Sequence, residues 1–348
     1  MKAYERLLNY VKVPTPSNEK SGTHPSSECQ RVLADQLAEE MKALGVSDVR
    51  VADKCYVYGK IPATKGYEEK TKLGFIAHLD TVSDFADHAV NPIVHENYDG
   101  KDLKLADSGR TLEVSVFPHL PSLAGRTLIT SDGTTVLGAD DKAGVAEIMT
   151  LAEALLAGEI PHGPISIGFT PDEEIGEGPD FFDVPGFGAE FAYTVDGGDL
   201  GELEYENFNA AGAKLIIDGH SVHPGSAKNK MLNAILLAQE FQNLLPVHEN
   251  PSATDGYEGF YHPDSITGSV DHVVVDYIIR DHNMEKFEQK KRFFLQCADF
   301  LNAKYGKKLF TVDLKDSYYN MKEKILPENA HLIDNAVRAM EEAGVTPT

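Results

Sequence analysis

The order of hydrophobic segments changes once along this chain, and that change limits the fold more than any single residue does. Up to about residue 206, short apolar runs alternate with helical stretches. "SSECQRVLADQLAEEMKALG" at 26–45 carries apolar residues at helical spacing, between a serine cap and a glycine stop. "LGFIAH" at 73–78 is a short apolar run of the kind buried on both faces of a sheet. "DKAGVAEIMTLAEALLAG" at 141–158 predicts a second helix with Val145, Ile148, Met149, Ala152 and Leu156 on one face. "PISIGFT" at 164–170 and "EFAYTVD" at 190–196 read as strands. Strand–helix–strand alternation predicts an α/β fold with a mainly parallel sheet flanked by helices.

From about residue 207 the order becomes β-α-β-β-α-β. The strand "GAKLIIDG" leads to a helix at 229–245, then to the strands "SITGSV" and "HVVVDYIIRD", a long helix at 283–306 and a last strand at 308–314. That order is the ferredoxin-like one. It predicts a smaller α+β lid domain, residues 207–321, inserted into a first domain made of 1–206 plus 322–348. A length of 348 residues suits two domains.

Net charge is −23, from 32 Lys+Arg against 55 Asp+Glu, which argues against nucleic acid or an anionic membrane as partner. Cys29, Cys55 and Cys297 are widely spaced and odd in number, as expected of free thiols in a reducing compartment. The start, "MKAYERLLNYVKV", reads as an amphipathic helix and lacks the apolar core of a signal peptide. No apolar run approaches membrane-spanning length. The expectation is a cytoplasmic soluble protein.

Four acidic clusters share one placement. "HLDT" at 78–81, "TPDEE" at 170–174 and "VDGGD" at 195–199 each follow a strand, and "GADDKAG" at 138–144 opens a helix. In an open parallel sheet, the carboxyl edge of the strands is where ligands bind. Acids gathered there repel unless a cation neutralises them. Singly, each has a plain structural reading. Asp80 suits a turn or cap, Asp140 and Asp141 a helix start, Glu173 and Glu174 a solvated loop, Asp196 a turn, and His78 a packed core position. As a set, a histidine with converging carboxylates points to a divalent metal, zinc being the usual choice beside imidazole.

At these residues the chain resembles the peptidase T family, the aminotripeptidase branch of the two-zinc exopeptidases that include aminoacylases and succinyl-diaminopimelate desuccinylases. The matching segments are "HLDT", "LITSDGTTVLGADDKAGVAEIM", "FTPDEEIG", "YTVDGGDLGELEYENFNAA", "HPGSAK", "YEGFYH", "YIIRD" and "DSYYNM". The resemblance implies a metallo-aminopeptidase that hydrolyses the N-terminal residue from tripeptides through a di-zinc-activated water, with Co²⁺ or Mn²⁺ as substitutes. It implies His78, Asp140 and Asp196 as ligands of the first zinc and Asp140 with Glu174 as ligands of the second. It also implies a cis Asp140–Asp141 peptide, Asp80 as the carboxylate that orients His78, and Glu173 as general base. Asp172 receives no chemistry, and a structural role on nearby backbone N–H groups is expected of it.

The resemblance places a last zinc-binding histidine near the C-terminus, after a glycine-rich segment. This sequence stops at Thr348 before either, so the expectation is a truncated chain with an incomplete second site. In the lid, the resemblance implies that His223 donates to the developing oxyanion and that Arg280 binds the substrate's C-terminal carboxylate. On residue type alone, His223 reads equally as a loop histidine and Arg280 as the partner of Asp281. A homodimer stays open as an assembly. Alternatives are a deacylase or dipeptidase of the same superfamily, or a metal-binding but inactive homologue.

Overall fold

The computed structural model describes residues 1–348 except Asp87 and Asp107. The chain divides into two compact units, Met1–Gly198 and Asp199–Thr348, and residues 322–348 fall in the second.

The first unit opens with helices α1 (Ala3–Tyr10) and α2 (Gln30–Leu44). Strands β1 (Ser47–Val51), β2 (Val57–Ile61) and β3 (Leu73–His78) follow. Two small antiparallel pairs come next: β4 (Pro92–His95) with β7 (Leu128–Ser131), and β5 (Leu103–Lys104) with β6 (Thr111–Leu112). Then come α3 (Ala139–Leu156), β8 (Ile165–Thr170), the short α4 (Val184–Phe187) and β9 (Phe191–Thr194).

The five main strands form one sheet in the order β1-β2-β8-β3-β9. β3 is parallel to β8 and β9, and β2 is antiparallel to β1 and β8. The direction is therefore mainly parallel, as expected, with β2 alone running against the other four strands. β1 and β2 have no counterpart among the strands read from the sequence, and their antiparallel pairings make the sheet a mixed one.

Both faces of this sheet are covered. Leu33, Leu37 and Met41 of α2 and Val145, Ile148 and Met149 of α3 share a core with Val57, Ala77, Ile167 and Phe169. On the other face, Tyr56 and Tyr58 pack with Phe187, Phe182 and Ile76. Gly74 of β3 is required there, because a Cβ would lie 2.5 Å from the Phe187 ring. Polar groups can therefore leave this sheet only at its ends, and β3, β8 and β9 all end on the same edge.

The second unit holds strands β10 (Asn209–Asp218), β11 (Phe260–Gly268), β12 (His272–Asp281) and β13 (Phe310–Tyr318). They form an antiparallel sheet in the order β11-β12-β10-β13. Helices α5 (Ala234–Gln242) and α6 (Met284–Tyr305) cover one face. Leu237, Phe241, Phe287 and Phe294 pack there on Leu215, Ile217, Val273 and Val275. This is the β-α-β-β-α-β order expected from the sequence. Helices α7 (Lys322–Ile325) and α8 (Ala330–Glu342) follow. No helix among the described residues is long and apolar enough to cross a membrane. The three cysteines are free.

Candidate metal centre

The acids meet where the sheet edge dictates. His78 is the last residue of β3, and its side chain is 2% exposed. Its Nε2 lies 2.8 Å from Asp140 Oδ1, 3.7 Å from Glu173 Oε2 and 3.8 Å from Asp196 Oδ2. Asp140 arrives on the first turn of α3, whose backbone is not helical there, and the Asp140–Asp141 peptide is cis. Gly144 permits this approach. A Cβ at that position would lie 2.1 Å from the Val195 carbonyl oxygen, so only glycine lets α3 lie against the segment that carries Asp196.

Asp80 is fully buried. Its two carboxylate oxygens accept the N–H groups of Glu173 and Glu174, at 3.0 and 3.1 Å. Towards His78, Nδ1 lies 3.1 Å from the Asp80 main-chain oxygen and 3.3 Å from its carboxylate. Asp80 therefore holds the glutamate loop as well as the imidazole, a second task that the sequence does not announce. Glu174 turns back to accept the Val82 N–H at 3.1 Å.

Asp141 looks from the sequence like a helix cap. It is instead 1% exposed, accepting the His78 N–H at 3.1 Å and the Gly144 N–H at 3.0 Å. Asp172 serves as a backbone and side-chain acceptor, taking the Ser26 N–H at 2.8 Å.

The electrostatics record the crowding. Burial opposes the His78 imidazolium, but hydrogen bonds to Asp140 and Asp80 and the surrounding carboxylates outweigh it and push its pKa up to about 11. Asp140 falls below the usual carboxylate range, chiefly through its hydrogen bond to His78. Burial, followed by the charge of Asp196, raises Asp141 to about 8. Burial first, with Asp140 adding, raises Asp196 to about 6. Glu173 and Glu174 are also raised, by burial before all else.

One imidazolium is thus set against more carboxylates than it can neutralise. A divalent cation would relieve that imbalance, and the donors are placed for one. His78, Asp140 and Glu174 bring one ligand atom each within 4.8 Å of one another, and so do His78, Asp141 and Asp196. A nitrogen donor among oxygens fits a borderline divalent ion.

In the second unit, His223 is exposed, and its Nδ1 accepts the Gly225 N–H at 3.1 Å. In the neutral ring the proton then sits on Nε2. Arg280 lies on the sheet face away from the helices, with its guanidinium 5.7 Å from the Phe208 ring. Its Nε is buried without a hydrogen-bond partner. Asp281 is not its counter-ion. Adjacent strand residues face opposite sides, and Asp281 is buried, accepting the Asn283 N–H at 2.9 Å. Arg280 makes no ion pair among the described residues.

Comparison with known proteins now decides the family. Peptidase T of Clostridium perfringens is 54% identical over 347 residues, which is 99% of this chain and 85% of that protein. Peptidase T of Halothermothrix orenii is 53% identical over 348 residues, 99% of this chain and 85% of that protein. The chain belongs to the peptidase T family. It spans about 85% of the length of these relatives. A family model described as a peptidase dimerisation domain matches residues 205–308. The fold is similar to that of the aminopeptidase PepT from Bacillus cereus. That structure has a TM-score of 0.75 at 24% identity, over 100% of this chain and 83% of that one.

Proposed function

We propose that this peptidase T relative is a tripeptide aminopeptidase working with two divalent metal ions, zinc being the expected metal. The observation that carries the reading is the meeting of His78, Asp140, Glu173, Glu174 and Asp196 at one sheet edge. His78, Asp140 and Asp196 would hold one ion, and Asp140 with Glu174 the other. Bound there, the ions supply Lewis acidity and lower the pKa of a water.

The chain's own residues do the rest. Glu173 lies beside the ligands and its raised pKa suits a group that takes a proton from water and returns it to the leaving amine. Asp80 keeps Glu173 and Glu174 in place through their N–H groups and steadies the His78 ring. His223 offers an Nε2–H to a developing oxyanion. Arg280, without a carboxylate partner of its own, would bind the substrate's C-terminal carboxylate in a bidentate fork.

The reading further assigns 1–206 with 322–348 to a catalytic domain and 207–321 to a lid. The dimerisation-domain match favours a homodimer. Three free thiols suit a cytoplasmic setting. The test of substrate is a panel of tripeptides, dipeptides and N-acyl amino acids. The reading expects kcat/KM to be highest for tripeptides with a free amino terminus. Preference for dipeptides or N-acyl substrates would replace it with a dipeptidase or deacylase.

A further inference from the structure

A second histidine–carboxylate group lies in the first unit, and no step of the proposed chemistry uses it. The His24 side chain is 5% exposed, and neither of its ring nitrogens makes a hydrogen bond. Its ring stacks on Tyr56 with centroids 5.6 Å apart. Nδ1 points at two carboxylates, 3.2 Å from Asp172 Oδ2 and 3.5 Å from Glu177 Oε2, and the three ligand atoms lie within 4.8 Å of one another. A buried imidazole nitrogen thus faces two carboxylates without a hydrogen bond to either, a donor set that suits a divalent cation.

We propose that His24, Asp172 and Glu177 form a structural site for a zinc-class divalent ion, separate from the His78 cluster. Ligands about 2.0–2.2 Å from a tetrahedral zinc stand about 3.3–3.5 Å apart, which is close to the two distances seen at Nδ1. One nitrogen and two carboxylates fit zinc better than calcium or magnesium, which take oxygen ligands. Supports for the ligands are also present. Asp172 is fully buried, its Oδ1 accepting Ser26 Oγ–H at 2.5 Å and Gln30 Nε2–H at 2.6 Å, while Oδ2 accepts the Ser26 N–H at 2.8 Å. Hydrogen-bonded carboxylates of this kind are oriented for metals. Glu177, with a side chain 45% exposed, leaves a route for the ion and a position for water.

The site would act on the loop between its own ligands. Asp172 and Glu177 are the two ends of the loop that carries Glu173 and Glu174, closed by the Glu177 N–H to the Asp172 oxygen at 2.9 Å. An ion joining both ends to His24 pins that loop without touching the reacting groups.

The experiment separates the two centres. In an Asp140→Asn, Asp196→Asn variant, metal content after exposure to Zn²⁺ and dialysis should be one equivalent per chain, and Zn²⁺ should raise Tm. Adding Glu177→Gln or His24→Gln to that variant should abolish both the equivalent and the Tm shift. Glu177 is half-exposed, so its substitution tests the site even where that of His24 prevents folding. No retained zinc in the Asp140→Asn, Asp196→Asn variant, or retention unchanged by Glu177→Gln, overturns the proposal. Neither result bears on the peptidase reading, because the His78 cluster is disabled throughout.

Discussion

The two sheets of this molecule place their polar groups by different rules. In the sheet of the first unit both faces are packed, and every residue of β8 is buried. In the second unit only the helix side is packed, and β12 alternates between buried and partly exposed positions. A doubly covered sheet shows its chemistry at strand ends, so acids at the ends of β3, β8 and β9 converge. A singly covered sheet leaves polar side chains along its length on the open face, among them Arg280, the residue proposed to bind the substrate carboxylate.

That contrast can be broken by substitution at neighbouring strand positions. Tyr56, just before β2, and Val57, its first residue, face opposite sides and are both fully buried. Tyr56→Ala should cost about 3–5 kcal/mol and Val57→Ala about 2 kcal/mol in chemical denaturation, so that neither face is spared. In the second sheet, Ile217 is fully buried while Ile216 on the open face is partly exposed. Ile217→Ala should cost about 2–5 kcal/mol and Ile216→Ala under about 1.5 kcal/mol. Equal costs at 216 and 217 would mean that the open face is covered.

The role proposed for Arg280 on that open face gives the next effect. Arg280→Ala should raise KM for free tripeptides by about 10–100-fold, the worth of a charge-assisted bond, and leave tripeptide amides nearly unchanged. Equal changes for both substrates would remove Arg280 from carboxylate binding. The smallest effect belongs to an exposed ion pair on the second sheet, Lys214 with Asp276 at 3.7 Å, both about half-exposed. Lys214→Met should change stability by less than about 1 kcal/mol.

Much of this was legible because local pattern and tertiary role agree. The runs at 73–78 and 164–170 became β3 and β8 almost residue for residue, and the acids after them meet because both strands end on one edge. Other features depend on contacts that no local pattern encodes. Asp141 has the sequence context of a cap, and only the packing of α3 against β3 turns its carboxylate onto the His78 N–H. His24 is 148 positions from Asp172, and a lone histidine before proline carries no signal of its own. The pairing of Arg280 with Asp281 failed for a reason the sequence did contain, since strand neighbours point to opposite faces. The covering of the Tyr56 face by Phe182 and Phe187 likewise comes from a turn and the four-residue α4, too short to show a helical period.

The central claim is that the three adjacent acids after β8 divide their work: Asp172 holds structure, Glu173 moves protons and Glu174 binds metal. Glu173→Gln tests it most directly, with kcat on a tripeptide and metal content measured on the same preparation. The account predicts a loss of about 10²–10⁴-fold in kcat with metal content unchanged. A near-normal kcat, or a loss of metal equal to that of Glu174→Gln, would contradict it.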